Sequence, residues 1–239
     1  MEHKGKLVFF GMILGASLII TGIIIANSLL SIKKLDNVIA VSGSAKQTVK
    51  ADSAHWTGNF SRTIVKDKIK DGYTAMKNDE KLVRTFFEAQ GFKEVEISPV
   101  FMNEVYKSDQ NAPTEYNLVQ NVEVKSDDVQ KMKDLAKNSD KLAEQGIIFS
   151  ANPVEYYYSK LPDLRVSLLP EAIKDAKARA EAIAQSSGKQ VETVKSVTMG
   201  VVQVMAAGST TDVSDYGTYD TSSVDKEVMI TVKTTFGLK

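Results

Sequence analysis

An uncharged apolar run, residues 7–30, constrains this 239-residue chain more than any other feature of its sequence. As an α-helix the run would be about 36 Å long, and the hydrocarbon core of a bilayer is about 30 Å thick. Cleaved secretory signals have a shorter apolar region, about 7–15 residues, followed by a small-x-small site. Residues 26–28 make a poor cleavage site. We therefore predict an uncleaved signal anchor that crosses the membrane; the alternative is a secreted protein released by signal cleavage.

The flanking charges say little about the orientation of this helix. Lys4 and Lys6 precede the run and Lys33 and Lys34 follow it, so the positive-inside rule is almost balanced. The N-terminal tail is short, whereas the C-terminal part is long and hydrophilic. We therefore expect the N-terminus inside and the bulk of the chain exported, with residues 1–36 as the anchor and its flanks and residues 37–239 as the exported domain.

Small residues recur in the apolar run at spacings of four, seven and four, which places them near one helix face. They are Gly11, Gly15, Gly22 and Ala26. GxxxG-like spacing lets two membrane helices approach closely, although glycine is also simply common in such helices. The spacing indicates a face through which two copies of the helix associate.

Composition excludes several classes of function. Lys+Arg and Asp+Glu are both 30, and residues 37–239 keep 26 basic and 28 acidic residues, so no cationic excess favours nucleic acid. The chain has no cysteine, which excludes disulfides, thiolate metal sites and a cysteine nucleophile. Only two histidines, His3 and His55, are present, so a histidine-pair zinc site or a histidine-based triad is not expected.

Hydrophobic periodicity alternates between strand and helix along the exported part. Period-two alternation is found at residues 38–45, 54–64, 93–106, 115–125, 147–159, 191–205 and 228–238. Helical periodicity is found at residues 67–90, 126–146 and 170–188. The resulting order, ββαββαβαββ, predicts an α+β domain: a mostly antiparallel sheet with three helices packed on it, preceded by one transmembrane helix.

Turn and cap residues refine this prediction. The first two strands are expected to pair with each other, and Pro99 indicates an edge or bulge in the third. Ser126 is expected to cap the second helix, and Pro170 to lie in the first turn of the third. Residues 206–226, rich in Gly, Ser, Thr, Asp and Tyr, are interpreted as a flexible loop.

The third helix carries two further side-chain patterns. Its alanines recur at a spacing of four, which predicts a ridge that lets the helix backbone lie close on its neighbour: Ala172, Ala176, Ala180 and Ala184. Asp175 and Arg179 are expected to form an i,i+4 ion pair on the solvated side.

Four blocks of the exported part resemble the SIMPL-domain family of bacterial envelope proteins. The most distinctive is the third helix, similar to the family pattern A-x-x-D-A-(R/K)-x-(K/R)-A-(E/x)-x-(L/I)-A-x-x-x-G. It is matched here by Ala172, Asp175, Ala176, Lys177, Arg179, Ala180, Glu181, Ile183, Ala184 and Gly188.

The other blocks lie in matching order along the chain. The N-terminal strand fits the family opening through Val41, Gly43, Ala45, Ala51, Asp52 and Ala54. Residues 114–147 resemble its alternating strand and following helix, and Val232, Phe236 and Leu238 its closing strand. The chain departs from the family at Ala51, where many members have proline, and at Gln190–Val191, where Leu-Gly is frequent.

The resemblance, over about residues 38–239, implies an exported, periplasm-facing α+β protein that tends to form ring-like or higher homo-oligomers, with a loose link to envelope stress tolerance and no cofactor. Together with the anchor, the edge-capable strands and the absence of any catalytic constellation, it leads us to expect a non-enzymatic, single-pass protein of the bacterial inner membrane whose C-terminal domain lies in the periplasm and binds partners. The alternatives are a periplasmic module that binds a ligand or glycan, with residues 206–226 closing over a pocket, and an uncharacterised hydrolase. The identity of any small-molecule ligand is left open.

The sequence contains few motifs typical of catalytic, phosphate-binding or metal-binding sites. The sequence has no G-x-G-x-x-G, P-loop, G-x-S-x-G or H-E-x-x-H. Asp212, Asp215 and Asp220 lack the order of an EF-hand, so we interpret their segment as a solvated loop and not a calcium site. His55 is interpreted as a hydrogen-bonded or exposed residue and not as a base. In residues 156–158, strand alternation places Tyr157 on the face opposite its two tyrosine neighbours. For these tyrosines the alternatives are packing in the core or on the surface and a contact with another subunit.

Overall fold

A computed structural model describes residues 2–35, 37–108, 112–209 and 214–239, with the side chains of these residues except 2–8 and 30–35. The helices are α1 (Glu2–Leu35), α2 (Ile69–Ala89), α3 (Val129–Lys137), α4 (Lys141–Glu144) and α5 (Leu161–Ser186). The strands are β1 (Val38–Lys50), β2 (Ser53–Val65), β3 (Val95–Ile97), β4 (Phe101–Val105), β5 (Glu115–Ser126), β6 (Ile148–Ala151), β7 (Glu155–Tyr157), β8 (Val191–Met199), β9 (Gln203–Ala206), β10 (Thr218–Tyr219) and β11 (Asp225–Leu238).

The α+β class is confirmed, and the element order differs in detail. Three predicted strands are each divided in two, at residues 98–100, 152–154 and 200–202. The second predicted helix is divided into α3 and α4, and the predicted loop contains the short strand β10. In each case both halves pair with the same strand, β3 and β4 with β5, β6 and β7 with β2, and β8 and β9 with β11, so the ladder is interrupted without a change of partner.

The strands form two sheets where one was predicted. A five-stranded sheet has the order β1-β11-β9-β10, with β8 also paired to β11. A six-stranded sheet has the order β3-β5-β2-β6, with β4 also on β5 and β7 also on β2. Antiparallel pairing predominates, and β9 and β10 are parallel.

The predicted pairing of the first two strands is wrong. β1 pairs with β11, whereas β2 lies between β5 and β6 in the other sheet. The connection between β1 and β2 is itself hydrogen-bonded to distant strands. The Ala51 N–H donates to the Val224 carbonyl at 2.8 Å and the Asp52 N–H to the Tyr157 carbonyl at 3.0 Å. These long-range bonds separate the two strands at the point where a hairpin was expected.

The chain divides into two compact units. Unit 1 comprises Met1–Ala45, Leu168–Val201 and Ile230–Lys239; unit 2 comprises Lys46–Ser167 and Val202–Met229. The unit 2 core lies between the six-stranded sheet and helices α2 to α4. The alternation predicted for β2 and β5 is confirmed, because Trp56, Phe60, Leu118 and Val122 are all buried.

The unit 1 core contains the predicted alanine ridge of α5. Its members, Ala172, Ala176, Ala180 and Ala184, are fully buried. A Cβ added to Gly43 of β1 would lie 2.3 Å from the Ala172 carbonyl oxygen and 2.4 Å from the Ala176 nitrogen. The helix and strand backbones therefore meet at a place where neither element can carry a larger side chain.

Two polar contacts accompany this close approach. Asp175 accepts a hydrogen bond from the Ser44 N–H at 2.8 Å, and Arg179 lies 2.9 Å from its carboxylate, so the predicted i,i+4 ion pair is confirmed. The Ser44 N–H and the Arg179 guanidinium together hold the pKa of Asp175 below its ordinary value. At the helix end, Gly188 has φ +69°, the left-handed conformation that a glycine C-cap requires.

Two helix boundaries differ from the prediction. Helix α5 begins at Leu161, so Pro170 lies inside it and not in its first turn. Proline removes one hydrogen bond, to the carbonyl of Val166, and that residue is exposed, so water can bond the carbonyl. Helix α3 is capped by Asp128 in place of Ser126: the Asp128 side chain accepts from the Lys131 N–H at 2.9 Å.

Helix α1 contains one segment, Phe9–Leu29, that is long and apolar enough to cross a membrane, with a mean hydropathy of 2.4 and no burial within the chain. No atom comes within 4 Å of a Cβ added at Gly11, Gly15 or Gly22, so the small-residue face is open to a second helix. Association through this face stays a prediction.

We expect the substitution Gly43→Ala to lower the free energy of unfolding by about 2–3 kcal/mol, because the new methyl group overlaps the backbone of α5. Chemical denaturation of the detergent-solubilised chain, followed by circular dichroism, measures the change. Ser42→Ala, at an exposed position of β1, is the matched control and should change stability by less than about 0.5 kcal/mol. Equal stabilities of the two variants would contradict the close packing of α5 on β1.

Candidate functional site

Strand β8 leaves an apolar stripe at an open sheet edge in unit 1. Within the described part of the chain, β8 pairs only with β11. Val194, Val197 and Met199 stand opposite Phe236, Thr234 and Val232, which are buried. Cross-strand partners share a face of the sheet, so these three β8 residues lie on the core face and yet are 39%–46% exposed. We call this strand and its apolar residues the β8 edge.

A groove in unit 2 forms where Pro99 interrupts the edge of the six-stranded sheet. The sequence predicted an edge or bulge at Pro99 but not the groove. Residues 98–100 separate β3 from β4. In this interval Ser98 forms the hydrogen bonds to β5 that a continuous strand would form. Its N–H donates to the Asn121 carbonyl at 2.9 Å, and its hydroxyl accepts from the Asn121 N–H at 2.8 Å. The resulting cavity, about 890 Å³, lies between this interruption and the outer face of α2. We call it the α2 groove.

Gln120, a polar residue that is only 3% exposed, borders the α2 groove. Its Nε2 donates to the Ser98 carbonyl at 2.9 Å and to the Glu80 carboxylate at 3.2 Å, which fixes the orientation of the amide. Its Oε1 has no hydrogen-bond donor among the described residues. The sequence placed Gln120 on the buried face of β5 but gave no signal for this amide network.

The charges around the groove are uneven. Burial raises the pKa of Glu80, but hydrogen bonds from Gln120 and Arg84 outweigh it and leave the pKa below its ordinary value. Arg84 lies 2.9 Å from Glu80, so this carboxylate is neutralised. Lys70 and Lys77 also line the groove, and neither forms a salt bridge with any residue that the structure describes. The groove is therefore net cationic.

A second polar cluster lies in the predicted loop. Asp220 accepts hydrogen bonds from the N–H and hydroxyl groups of Ser222 and Ser223. The Lys226 Nζ donates to the Asp220 carbonyl oxygen and lies 3.7 Å from its carboxylate. Burial raises the pKa of Asp220, but these hydrogen bonds and the Lys226 charge hold it far below its ordinary value. Burial lowers the pKa of Lys226, which is 0% exposed.

The Asp220 cluster is organised to hold its own loop. Gln203 of β9 donates to the Ser214 carbonyl at 2.6 Å and accepts from the Thr218 hydroxyl at 2.7 Å, which supports β10. Asp212 lies outside the described residues. Both carboxylate oxygens of Asp220 accept hydrogen bonds from Ser222 and Ser223 within the loop. Among the described side chains, no group of three or more His, Cys, Asp or Glu could hold a metal ion. The flexibility of residues 206–226 stays a prediction.

The remaining candidates occupy packing or surface positions. His55 lies 3.0 Å from Glu123 on the outer face of β2, in a mixed ion-pair cluster. Tyr156 is buried in the unit 2 core, whereas Tyr157, on the opposite face, stacks on Tyr219 with ring centroids 5.7 Å apart. The expected difference between the faces of these two tyrosines is therefore observed.

The motif positions named in the sequence prove to have packing roles. Gly43 permits the close approach of α5, and Asp175 binds the backbone of Ser44 beside it. Asp52 accepts hydrogen bonds from the N–H and hydroxyl of Ser159, at 2.7 and 2.9 Å, just before α5 begins. The residues that define the family pattern thus fix the backbone of this fold.

The family model named SIMPL, described as "Protein of unknown function (DUF541)", matches residues 39–236. The chain belongs to the SIMPL family. The match covers nearly the whole of residues 37–239 and leaves the apolar segment of α1 outside it. A comparison of the chain with curated proteins finds no match.

The Asp220 cluster generates a pH-dependent prediction. We expect Asp220→Asn to lower the free energy of unfolding by about 2 kcal/mol at pH 7, because charged hydrogen bonds are lost. The pKa of Asp220 in the folded chain lies below the ordinary 3.8, so its stabilisation is complete above pH 3.8 and is lost as the pH falls toward the folded-state pKa. The difference between variant and wild type should shrink between pH 4 and pH 2.

Denaturant titrations at pH 7, 4 and 2.5 measure this difference. Asp215→Asn, in the same loop but without such a hydrogen-bond network among the residues that the structure describes, is the matched control and should change stability little at any pH. A difference for Asp220→Asn that is constant across these pH values would contradict the assigned role of the carboxylate.

Proposed function

We propose that this protein is a non-enzymatic, membrane-anchored envelope protein whose exported domain homo-oligomerises and binds partners. In this proposal α1 is a single-pass anchor in the bacterial inner membrane, and residues 37–239 lie in the periplasm. The apolar Phe9–Leu29 segment supports the anchor, and membership of the SIMPL family fits an envelope protein. A role in envelope stress tolerance belongs to the same proposal.

The β8 edge is the observation that carries the assembly. An exposed edge strand offers a row of unpaired backbone groups, and natural proteins usually protect such an edge with charge or proline. Apart from Glu192 and Lys195, β8 has no charge, and its core-face residues are apolar and exposed. Pairing of β8 with β8 of a second copy would bury these residues and continue the sheet across a two-fold axis.

The proposal of a non-enzymatic role rests on how the polar clusters are used. At the Asp220 cluster two groups with displaced pKa values lie beside a cavity of about 390 Å³, and at the α2 groove the pKa of Glu80 is lowered by its hydrogen bonds. A general base works best with a pKa near the ambient pH, whereas the pKa of Asp220 is moved away from neutrality. Lys226 is fully buried and committed to Asp220. Both groups are therefore suited to fixing a loop and not to transferring protons.

We expect the double substitution Val197→Lys/Met199→Lys to dissociate the oligomer, because it places two cations on the apolar face of the β8 edge. Size-exclusion chromatography with light scattering on the detergent-solubilised chain measures the mass. Ser196→Lys/Thr198→Lys adds the same charge to the opposite face of β8 and should leave the oligomer intact. A wild-type monomer at every concentration, or an equal effect of the two variants, would contradict the proposed assembly.

The anchor generates a separate prediction about topology. N-terminal sequencing of chain recovered from bacterial membranes should read the uncleaved start of the sequence, since residues 26–28 are a poor cleavage site. Protease added to spheroplasts should degrade residues 37–239 while a cytoplasmic marker survives. A mature N-terminus near residue 29, or full protection of the domain in intact spheroplasts, would overturn this arrangement.

A further inference from the structure

The edge of the six-stranded sheet beside α2 combines an open strand with a cationic helix face. Within the described part of the chain, β4 pairs only with β5, so its other edge has no strand partner. Met102 stands opposite Leu118, whose side chain reaches α2 at Gly72, so Met102 lies on the α2 side of the sheet. Both Met102 and Phe101, on the opposite face, are exposed. Each face of the edge therefore exposes one apolar side chain, and the α2 side also carries the exposed Glu104.

We propose that the α2 groove binds an extended acidic peptide segment of a partner protein, which adds as a strand to the edge of β4. The proposal deepens the partner-binding half of the proposed function and does not depend on self-association. In strand addition, main-chain hydrogen bonds supply affinity, and the side chains that face the domain supply specificity. Lys70, Tyr73 and Lys77 of α2 line the groove and would face such a strand.

Charge complementarity favours acidic residues in this peptide. The two groove lysines are without a salt-bridge partner among the described residues, and the carboxylate of Glu80 is already neutralised by Arg84. A peptide carboxylate beside α2 would therefore meet two cations, of which Lys77 is also attracted to Glu80. Glu104 is an exposed anion on the α2 side of β4, so the acids of the peptide would lie away from it. The Oε1 atom of Gln120 has no donor among the described residues, so it could accept a hydrogen bond from a peptide N–H that reaches the base of the groove.

The spacing of the lysines sets a pattern for the peptide. Lys70 and Lys77 are seven residues apart on α2, which is about 10.5 Å along the helix axis. Side chains at positions i and i+4 of a strand share one face and are about 13 Å apart. The long, flexible lysine side chains span the difference. Acids at i and i+4, with an apolar residue between them at i+2 facing Tyr73, therefore fit this face.

The probe is a fluorescently labelled pentapeptide, Glu-Thr-Val-Thr-Glu, with blocked ends, titrated into the full chain in uncharged detergent micelles at low salt. We expect saturable binding, and no binding of Lys-Thr-Val-Thr-Lys. Lys70→Glu/Lys77→Glu should weaken binding about tenfold or more. Lys81→Glu/Lys93→Glu makes the same change of charge at exposed positions outside the groove and should leave affinity within about twofold.

Amide hydrogen exchange separates strand addition from loose electrostatic attraction. Bound peptide should slow exchange within Phe101–Val105, because the outward N–H groups of β4 acquire partners. Unchanged exchange in β4, equal binding of the lysine peptide, or equal affinities of the two charge-reversal variants would overturn the proposal. So would binding of soluble peptidoglycan fragments by a chain that does not bind the peptide. A chain that is monomeric by light scattering and still binds the peptide would refute the proposed homo-oligomerisation but not the proposed peptide binding.

Discussion

The close contact between β1 and α5 is the constraint on which unit 1 depends. Gly43 brings the strand backbone to within contact of the helix backbone at Ala172 and Ala176. The Ser44 N–H, placed beside the helix by this approach, is satisfied by Asp175. A larger residue at any of these positions would hold the elements apart and leave the Asp175 bond unmade. At these positions the family pattern therefore reflects close packing of the strand and helix backbones.

Two sheet edges, β8 and β4, carry the functional interpretation. Both leave strand backbone without a partner in the described part of the chain, and both expose apolar side chains. Their settings differ: β8 has an apolar stripe suited to a second copy of itself, whereas β4 lies beside the lysines of α2. In the proposed function both edges bind by adding strands, a mode of binding that needs no cofactor or reactive side chain.

The sequence predicted local structure well and long-range pairing poorly. Alternation located the buried faces of β2 and β5, and the alanine spacing of α5 located its packing face, because these patterns depend on neighbouring residues alone. The partner of β1 is β11, almost the whole domain away in sequence, and no local pattern encodes that pairing. The roles of Gln120 and Lys226 were not predicted, for the same reason. Their roles arise from contacts with Glu80 and Asp220 that only the folded chain creates.

The absence of cysteine allows one direct test of an exported domain that self-associates through β8. Single cysteines are introduced one at a time along Val191–Met199 in cells that express the chain, with Lys93→Cys as the control. Disulfides form in the periplasm and not in the cytoplasm, so a cross-link reports location and contact together. The account predicts reducible dimers at one or more β8 positions and none for the control. Monomer alone at every β8 position would contradict it.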